Sequence, residues 1–458
     1  MSDPTDKTDQ DKAARAKIAQ GITIYFSCLD GSYLFPMNGR YIPLKKTEIF
    51  TELTALGLLR VDWLDANNGR LDAFEWVLWN SRNKYVIDYA GGLAGHKAGI
   101  FEDGGGKKFL ALDQAQGVFD KLEKHPDPAW FIAFIQELLP EGQATYFLYW
   151  LAFSLRALRA GDMRPGQVVF LAGPGGCGKS LLQLIITEIL GGRSAGPLRY
   201  MTDLTPFNAD LAGAEHWMIE DPGTTTDIRT RRNFGSKIKE ATVNRNFSIH
   251  GKTKTAITLP LFRRVTISVN DEPENLAIIP PLEPGINDKL FLFHCARASA
   301  SFDAYRNAAG DIDQAKNWAD IRAEVPAIRA WLLKQFNKVP KAMRDDRFGI
   351  KAWHHPELTE ELSGLSPETR FLQLIDDVIF SPNGPDLEPE FKSSDLEKLL
   401  RKSEMSFEVE KILRFTGACG TYLGKLSKSS DRISKRKVHG GTTLWTITPP
   451  NKTTDSSK

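Results

Sequence analysis

The chain has few cysteines and no hydrophobic run long enough to span a membrane, and each shortage excludes a class of protein. Its four cysteines show no CxxC or Cys/His spacing; they are Cys28, Cys177, Cys295 and Cys419. We therefore expect free thiols in a reducing cytoplasm, and neither a disulfide framework nor a zinc site. The most apolar run, residues 146–153, is too short to cross a bilayer, so we expect a buried helix and no membrane partner. The polar segment 1–12 contains no apolar core of a signal peptide.

The chain also has almost no net charge, because 59 lysines and arginines are balanced by 57 acidic residues, which leaves +2. A nucleic-acid partner therefore cannot be inferred from bulk charge and must be sought in local basic stretches. The composition, 41% hydrophobic and 25% charged, is typical of a soluble globular protein. With 458 residues, the chain is long enough for two or three domains.

One eight-residue run is rich in glycine and ends in Lys-Ser. It reads Gly173-Pro174-Gly175-Gly176-Cys177-Gly178-Lys179-Ser180, with an apolar stretch at 167–172 before it and a helical pattern at 181–190 after it. This order of strand, loop and helix is typical of a phosphate-binding loop, in which glycines let main-chain N–H groups turn inward around an anion. Lys179 would reach the β- and γ-phosphates, and the Ser180 hydroxyl would ligate Mg²⁺. The run predicts a nucleoside triphosphate site; the alternative is an ordinary glycine-rich turn.

An acidic pair follows the next apolar strand. Glu220 and Asp221 directly follow the apolar residues 214–219. They would therefore lie at the carboxyl end of a parallel strand, beside the loop. One carboxylate can hold the hydrated Mg²⁺, a role that we assign to Glu220 together with Ser180, while the other orients or deprotonates the attacking water. The division of roles within the pair stays open, and the alternative is two exposed acids at a strand end.

A third apolar strand, residues 264–269, ends in Asn270. An amide at that position can hydrogen-bond both the γ-phosphate and the attacking water, and so can sense whether the nucleotide is intact. Asparagine is common in turns, so Asn270 alone is a weak signal. Its position after the loop and the acidic pair is what supports the sensor role.

The succession of the loop 173–180, Glu220-Asp221, a basic segment near Lys252, and Asn270 resembles the four motifs of superfamily-three helicases, ring-forming DNA motors of small viruses, phages, satellites and plasmids. The stretches 41–43, 89–95 and 347–357 are similar to the helicase half of phage and plasmid primase-helicases. The resemblance implies an α/β fold with an AAA+-like phosphate-loop NTPase core built on a parallel sheet. It also implies ATP and Mg²⁺ as cofactors, a homo-oligomeric ring, expected to be a hexamer, and a bacterial host cell.

In that family a β-hairpin between the acidic pair and the asparagine carries a basic residue that grips single-stranded DNA. The matching stretch, residues 247–258, contains His250, Lys252 and Lys254 around Gly251. Alternating apolar and basic residues suit a two-stranded ribbon, and a lysine at its tip can pair with phosphates without reading sequence. The alternative is a solvated basic hairpin without a ligand.

The family also places an arginine finger across the subunit boundary, after the asparagine strand. Lys289 stands at the matching place in this chain. Lysine neutralises charge but cannot make the two-pronged contact of arginine. Either Lys289 acts more weakly, or Arg297 or Arg263 takes the role, or hydrolysis is slow. The acidic pair also reads Glu-Asp where Asp-Glu is the commoner order.

The C-terminal block predicts helices followed by a ribbon. Residues 367–380 are amphipathic, 393–401 begin with a capping pattern, and a third helix near 421–428 precedes a ribbon at 432–447. This order resembles a winged-helix module, whose third helix enters a DNA groove. Local basic residues favour DNA over a protein partner, through phosphate contacts that salt weakens; they are Lys425, Lys428, Arg432, Lys435, Arg436 and Lys437.

The N-terminal block predicts short strands and two long helices. Strand-like runs lie at 22–26 and 32–35, helical patterns at 128–139 and 143–160, and the Trp-rich segment 74–79 is interpreted as core and not as a base-stacking platform. We predict a disordered lead over 1–14, a mixed α+β domain over 15–160, the ATPase domain over 161–345, a linker and winged-helix domain over 346–450, and a disordered tail over 451–458.

The function that the resemblance implies is an ATP-dependent replicative DNA helicase of a phage, plasmid or mobile element. It would translocate on single-stranded DNA as a ring and act at origin duplex DNA. Residues 15–160 show no acidic constellation of a primase, so a separate primase partner is expected. The alternatives are a nucleotide-switched DNA-binding ATPase, such as a regulator or defence protein, that does not unwind DNA, and a structural module with a vestigial loop.

Overall fold

The computed structural model describes residues 4–29, 31–38, 40–60, 63–66, 69–222, 228–252, 256–282, 285–307, 310–364, 367–380, 390–438 and 442–449. Their contacts divide the chain into two compact units. The first comprises the described residues of Met1–Gly223, Asp227–Asn270 and Asp288–Trp353; the second comprises those of Asp271–Asn287 and His354–Lys458. The first unit thus contains the described part of the predicted N-terminal domain and most of the predicted ATPase domain, whereas residues 271–287 of the latter belong to the second unit. Within the described ranges, we find no helix whose length and hydropathy would suit a bilayer crossing.

The first 111 residues form small sheets and short helices. The elements are α1 (Pro4–Gly21), β1 (Tyr25–Ser27), β2 (Tyr33–Met37), β3 (Arg40–Leu44), α2 (Lys46–Ala55), β4 (Trp63–Ala66), β5 (Gly69–Asp72), α3 (Ala73–Lys84), β6 (Val86–Ile87), β7 (Tyr89–Gly91), β8 (Gly99–Glu102) and β9 (Lys108–Ala111). The sheet orders are β3-β2-β1-β6, β4-β5 and β7-β9-β8. Phe74 and Trp76 of α3 are buried, which confirms that the Trp-rich segment is core.

The lead segment differs from its prediction. Residues 1–14 were expected to be disordered, but the chain is helical from Pro4 onward, and residues 1–3 lie outside the described ranges. The alanines, lysines and glutamine of this stretch have adequate helix propensity. Ala19 in the last turn of α1 is fully buried in the N-terminal core, which anchors the helix. The predicted tail 451–458 lies outside the described residues.

The middle of the chain contains the main sheet and its helices. The elements are α4 (Ala129–Leu138), α5 (Gln143–Arg159), β10 (Val168–Ala172), α6 (Lys179–Ile189), β11 (Ser194–Ala195), α7 (Leu198–Met201), β12 (His216–Glu220), α8 (Ile228–Val243), β13 (Asn246–Ile249), β14 (Ile257–Pro260), β15 (Arg264–Val269), α9 (Pro273–Leu276), β16 (Leu290–His294), α10 (Gln314–Phe336), β17 (Arg344–Asp345) and β18 (Gly349–Ile350). The sheet order β11-β12-β15-β10-β16 is parallel throughout. This five-stranded parallel sheet confirms the predicted α/β class.

Every residue of β10 and β15 is buried, as expected for central strands of a parallel sheet that is covered on both faces. Helices α4, α5, α6 and α10 contribute side chains to the same hydrophobic cluster as β10 and β16. The predicted helices at 128–139 and 143–160 are confirmed as α4 and α5, within one or two residues. Since parallel strands share one carboxyl edge, the segments that follow β10, β12, β15 and β16 all leave the sheet at that edge.

The second unit contains a helical cluster and a small antiparallel sheet. Besides α9, its elements are α11 (Pro356–Gly364), α12 (Pro367–Ile379), β19 (Glu390–Lys392), α13 (Ser393–Lys402), α14 (Ser406–Ile412), α15 (Ala418–Ser429), β20 (Ile433–Lys437) and β21 (Thr443–Ile447). The sheet order is β19-β21-β20, and Phe371, Leu396, Leu423 and Trp445 belong to its core. The predicted helices and ribbon are present, whereas β19 and α14 were not expected.

Candidate active site

The glycine-rich loop leaves the carboxyl end of β10 and leads directly into α6. Gly173 approaches the next segment so closely that a Cβ atom there would lie 2.5 Å from the Cys295 carbonyl oxygen. Gly176 and Gly178 adopt φ values of +70° and +121°, a region that side chains disfavour. A Cβ at Gly178 would also lie 3.3 Å from the Phe134 ring. The loop conformation therefore requires glycine at these positions.

Main-chain hydrogen bonds tie the loop to both neighbouring strands. The Gly173 N–H donates to the Val269 carbonyl at the end of β15 (3.3 Å). On the other side, the Cys295 N–H donates to Ala172 (2.6 Å) and the Ala298 N–H donates to Cys177 (3.3 Å). The loop is thus held between the segments that follow β15 and β16.

Lys179 and Asn270, which are 91 positions apart in the sequence, meet in this loop. The Lys179 Nζ donates to the carbonyl oxygens of Gly173 (2.6 Å) and Pro174 (2.8 Å) and to the Asn270 Oδ1 (3.3 Å). The lysine side chain is buried, so its charge depends on these acceptors. The two residues that were predicted to contact the terminal phosphate are therefore neighbours.

The acidic pair lies at the same edge. Glu220 is the last residue of β12, Asp221 follows it, and both line one cavity with Lys179 and Ser180. Asp221 has a φ of +35°, which is strained for a residue with a side chain, while its N–H still donates to the Ser268 carbonyl (3.1 Å). Strain of this kind is found at functional sites, where the surrounding structure enforces it. A hydroxyl and two carboxylates are oxygen donors, the type that Mg²⁺ prefers, so this set fits the expected ion.

The cavity has a volume of about 730 Å³ and extends beyond the predicted motifs. Its other walls come from the chain that follows β16, including the short 3₁₀ segment Ala300–Tyr305, and from the first turns of α10. The lining residues include Arg297, Phe302, Arg306, Asn317 and Trp318. Of these, Arg297 was named only as a finger candidate, and no local motif marks the others.

Cys177 has an unusual environment within the loop. Its hydrogen bond with the Cys295 thiol and the nearby Lys179 ammonium lower the pKa of the Cys177 thiol to about 6, although burial opposes the shift. The Lys179 Nζ lies 3.8 Å from its sulfur. The thiolate form is therefore favoured at neutral pH, which the sequence did not indicate.

The three finger candidates occupy different places. Lys289 precedes β16 at the edge opposite the loop, is buried, and pairs with Asp288 (2.7 Å). Arg263 is also buried, and its guanidinium donates to the main-chain carbonyls of Ala241 and Asn244. Only Arg297 of the three lines the cavity of its own chain. Lys289 is therefore not part of the site in its own subunit, because the start of β16 and the carboxyl edge lie at opposite ends of the strand.

The basic ribbon is present as the antiparallel pair β13–β14, with Phe247 opposite Leu259. Its tip is longer than a tight turn at Gly251, since the strands end at Ile249 and resume at Ile257. Asn208 holds the base of the tip, because its side chain donates to the Ser248 carbonyl (2.9 Å) and accepts from the His250 N–H (2.7 Å).

Of the predicted DNA contacts in this hairpin, Lys252 is exposed and His250 is half-buried against the Phe207 ring. Lys254 lies outside the described residues. The hairpin prediction is confirmed as secondary structure, and DNA contact by its side chains stays a prediction.

The basic residues of the second unit divide into two groups. Three of them form ion pairs inside the unit: Lys425 with Glu368, Arg432 with Asp376, and Arg436 with Glu390. In the described part of the unit, no ion pair is found for the other three, Lys428, Lys435 and Lys437, which are exposed. The group available for phosphates is therefore smaller than the sequence predicted.

Comparison with known proteins supports the fold. No protein-family model and no curated protein sequence matches the chain. The A form apo structure of the NrS-1 C-terminal region matches with a TM-score of 0.55 and 14% identity, over 94% of this chain and 98% of that chain. A second apo structure of that region, residues 305–718, matches with a TM-score of 0.54 and 12% identity, over 94% and 97%.

At this identity the likeness to the NrS-1 region shows a shared fold alone. A structure of JCV helicase covers 54% of this chain and 60% of its own, at 14% identity and a TM-score of only 0.28, which is too low to carry an argument.

Proposed function

We propose that the protein is an ATP-dependent replicative DNA helicase of a phage, plasmid or mobile element, which translocates on single-stranded DNA as a ring, a hexamer in its expected form. The observation that carries the proposal is the single cavity at the carboxyl edge of the parallel sheet. It collects Lys179, Ser180, Glu220, Asp221 and Asn270 from the carboxyl ends of β10, β12 and β15 and the segments that follow them. These are the residue types that hold and hydrolyse a triphosphate.

Each residue has a role that follows from its position. Lys179 would exchange the loop carbonyls of Gly173 and Pro174 for the β- and γ-phosphate oxygens. Ser180 and Glu220 would hold Mg²⁺, which neutralises phosphate charge when bound. Asp221, fixed by its strained backbone, would orient the attacking water. Asn270 accepts a hydrogen bond from Lys179 and would sense the loss of the γ-phosphate.

Coupling to DNA would use the hairpin. Only residues 261–263 separate β14 from β15, the strand that Asn270 follows, so a shift of that strand has a short path to the basic tip. Lys252 at the tip would contact the phosphates of single-stranded DNA without reading sequence.

The second unit would add contacts to origin duplex DNA. Its order of helices and its three-stranded sheet suit a winged-helix module. Lys428, Lys435 and Lys437 are its exposed candidates for phosphate contact. A separate primase would supply primers.

One observation favours the second candidate function, a nucleotide-switched DNA-binding ATPase that does not unwind DNA. Lys289 is buried and paired with Asp288, so it is not presented to a neighbouring site as an arginine finger would be. Hydrolysis without such a finger is slow. A slow ATPase suits a switch better than a motor.

Hydrolysis and strand displacement, measured side by side with and without single-stranded DNA, test the proposal. Wild-type protein should hydrolyse ATP, faster with DNA, and should displace a strand. Lys179→Ala should lower both activities by about 100-fold or more, because it removes the charge at the terminal phosphates. Lys107→Ala, an exposed lysine that does not line the cavity, is the matched control and should retain both. Hydrolysis without displacement would favour the switch. A protein that shows neither hydrolysis nor displacement would refute both candidate functions.

A further inference from the structure

The segment 92–96, between β7 and β8, does not line the cavity but contacts the chain just ahead of two strands that lead to it. The Ala94 N–H donates to the Ala212 carbonyl (2.8 Å), four residues before β12. The Ala94 carbonyl accepts from the Phe262 N–H (3.1 Å), two residues before β15. One residue thus links the starts of the two strands whose carboxyl ends carry the acidic pair and Asn270.

The close fit of this segment depends on Gly95. It has a φ of +84°, and a Cβ atom there would lie 2.5 Å from the Phe262 Cβ. Its N–H donates to the Oε1 of Glu215 (2.9 Å), which is fully buried. The Glu215 main-chain carbonyl accepts from the N–H of Arg264, the first residue of β15 (2.8 Å). The segment and the start of β15 are therefore held together by packing as well as by hydrogen bonds.

His96 extends this contact to the basic hairpin. Its Nε2 lies 3.0 Å from the carbonyl oxygen of Pro260, the last residue of β14. A carbonyl oxygen only accepts hydrogen bonds, so Nε2 carries the proton and donates it. Burial lowers the pKa of His96, which keeps the ring neutral at pH 7. The imidazole is therefore a neutral donor at the end of the hairpin.

An aromatic stack fixes the orientation of the His96 ring. The ring lies nearly parallel to that of Phe101 in β8, with centroids 4.1 Å apart and planes 7° apart. Phe101 stacks in turn on the ring of Phe109 (5.3 Å), which is fully buried in β9. Since β9 is the central strand of the sheet β7-β9-β8, the donor is supported by a folded sheet.

Arg263 provides a second attachment of the same part of the chain. Its buried guanidinium donates to the main-chain carbonyls of Ala241 (3.1 Å) and Asn244, near the end of α8. The junction 260–263, which joins the hairpin to β15, is thus attached to two other elements of the unit. Segments that connect a moving element to its support act as hinges when their ends are fixed in this way.

We propose that His96 is a positioning residue for the DNA hairpin: its hydrogen bond to Pro260 fixes the base of β14, so that a displacement of β15 turns the tip instead of shifting the whole hairpin. This inference rests on the proposed function, in which Lys252 at the tip contacts single-stranded DNA. A fixed pivot converts a small movement at one end of a lever into a larger movement at the other. Without the His96 hydrogen bond, hydrolysis in the cavity would continue while less of the movement would reach the tip.

Variants of His96 in the full chain test the inference, because ring stacking and hydrogen bonding can be removed separately. His96→Phe keeps an aromatic ring beside Phe101 but has no donor, whereas the amide nitrogen of His96→Gln takes the place of Nε2. In His96→Phe, basal ATP hydrolysis should stay within about 2-fold of wild type, while DNA-stimulated hydrolysis and strand displacement should fall about 10-fold. His96→Gln should recover most of this loss. His125→Phe, at a histidine in the loop before α4, is the matched control and should behave as wild type.

Hydrogen exchange of the main-chain amides gives a readout that does not depend on catalysis. In His96→Phe, the amides of β13 and β14 should exchange about 10-fold faster than in wild type, because the base of the hairpin is released. The amides of β10 and β15 should keep their rates. A histidine that only stabilises the fold would instead change the exchange of all four strands together.

The outcomes separate the two proposals. Unchanged exchange of the hairpin, equal loss of basal and DNA-stimulated hydrolysis in His96→Phe, or failure of His96→Gln to recover would each overturn the inference while the proposed function stands. A wild-type chain that hydrolyses no ATP, or whose hydrolysis does not respond to DNA, would count against the proposed function, and hydrogen exchange would still decide the role of His96. Should His96→Phe fail to fold, His96→Asn replaces it, because its amide is too short to reach the Pro260 carbonyl.

Discussion

Lys179 illustrates how a single side chain prepares the loop for an anion. Its ammonium group is buried and reaches two carbonyls of its own loop and the Asn270 amide. Carbonyl oxygens are weaker acceptors than phosphate oxygens for a cation, so the charge gains by exchanging one for the other. Alanine at this position removes a buried charge together with its need for acceptors. Loss of nucleotide binding without loss of the fold is therefore the expected phenotype.

His216 shows the opposite case, a titratable group kept neutral inside the sheet. It lies in β12, is fully buried, and its two ring nitrogens lie 2.7 and 2.8 Å from the hydroxyls of Thr187 and Thr266. Burial lowers the pKa of His216 to about 3. The unfolded chain, by contrast, would take up this proton near pH 6.5. Stability from this group is complete above pH 6.5 and is lost as the pH falls toward 3.

Acid destabilisation should therefore depend on His216. Between pH 7.5 and pH 5.0, the wild-type free energy of unfolding should fall by about 2 kcal/mol more than that of His216→Gln, because the unfolded wild-type chain gains one proton that the folded chain refuses. Urea unfolding at the two pH values measures the difference. His125→Gln, which changes a histidine outside the sheet, should behave as wild type. Equal pH dependence of wild type and His216→Gln would contradict the assignment.

At the scale of elements, local patterns in the sequence were sufficient for the phosphate loop and its flanking strand and helix. Strand β10, the glycines and α6 are adjacent in the chain, so their order alone predicts the loop. The segment Ala300–Tyr305 and the first turn of α10 could not be predicted as site elements, because they reach the cavity only by tertiary packing on α4 and α6. The helix over residues 4–14 was not predicted for a related reason. It is anchored through Ala19, whose burial in the N-terminal core depends on tertiary packing.

The ribbon β20–β21 illustrates why a basic run overstates a binding surface. Arg436 is held by Glu390 on the neighbouring part of the sheet, whereas Lys435 and Lys437 on either side of it form no ion pair within the described unit. Side chains alternate between the two faces of a strand, so Lys435 and Lys437 share one face of β20 and Arg436 lies on the other. Lys435 also lies over the Trp445 ring (5.8 Å), and the two lysines of this face are the proposed phosphate contacts of the ribbon.

Duplex DNA binding should therefore depend on the two lysines of that face. In Lys435→Ala/Lys437→Ala, the slope of log affinity against log salt should be shallower by about 2, because each phosphate contact contributes about 0.9. Binding of a labelled duplex to the full chain at several salt concentrations measures the slope. Lys411→Ala, an exposed lysine of α14 in the same unit, should leave the slope unchanged. A double variant with the wild-type slope would show that this face does not contact DNA.

For the molecule as a whole, the open question is whether one chain completes its own site. Arg297 and Arg306 of the same chain line the cavity. Lys289 lies at the other end of β16, where it is buried and paired with Asp288. All three residues follow Asn270 in the sequence, but linear order cannot distinguish the two edges of a sheet. Catalysis within a chain and catalysis across a subunit boundary predict different behaviour of mixed assemblies.

Mixtures of wild-type and Lys179→Ala chains test this directly. In a ring whose subunits act together, each inactive chain also impairs its neighbours, so DNA-stimulated hydrolysis should fall more steeply than in proportion to the wild-type fraction. Exchange of subunits can be verified by energy transfer between chains labelled at the exposed Cys28. A proportional fall despite verified exchange would mean that each chain hydrolyses ATP with its own Arg297 or Arg306. In that event Lys289 would be a structural partner of Asp288, and the finger role would belong inside the chain.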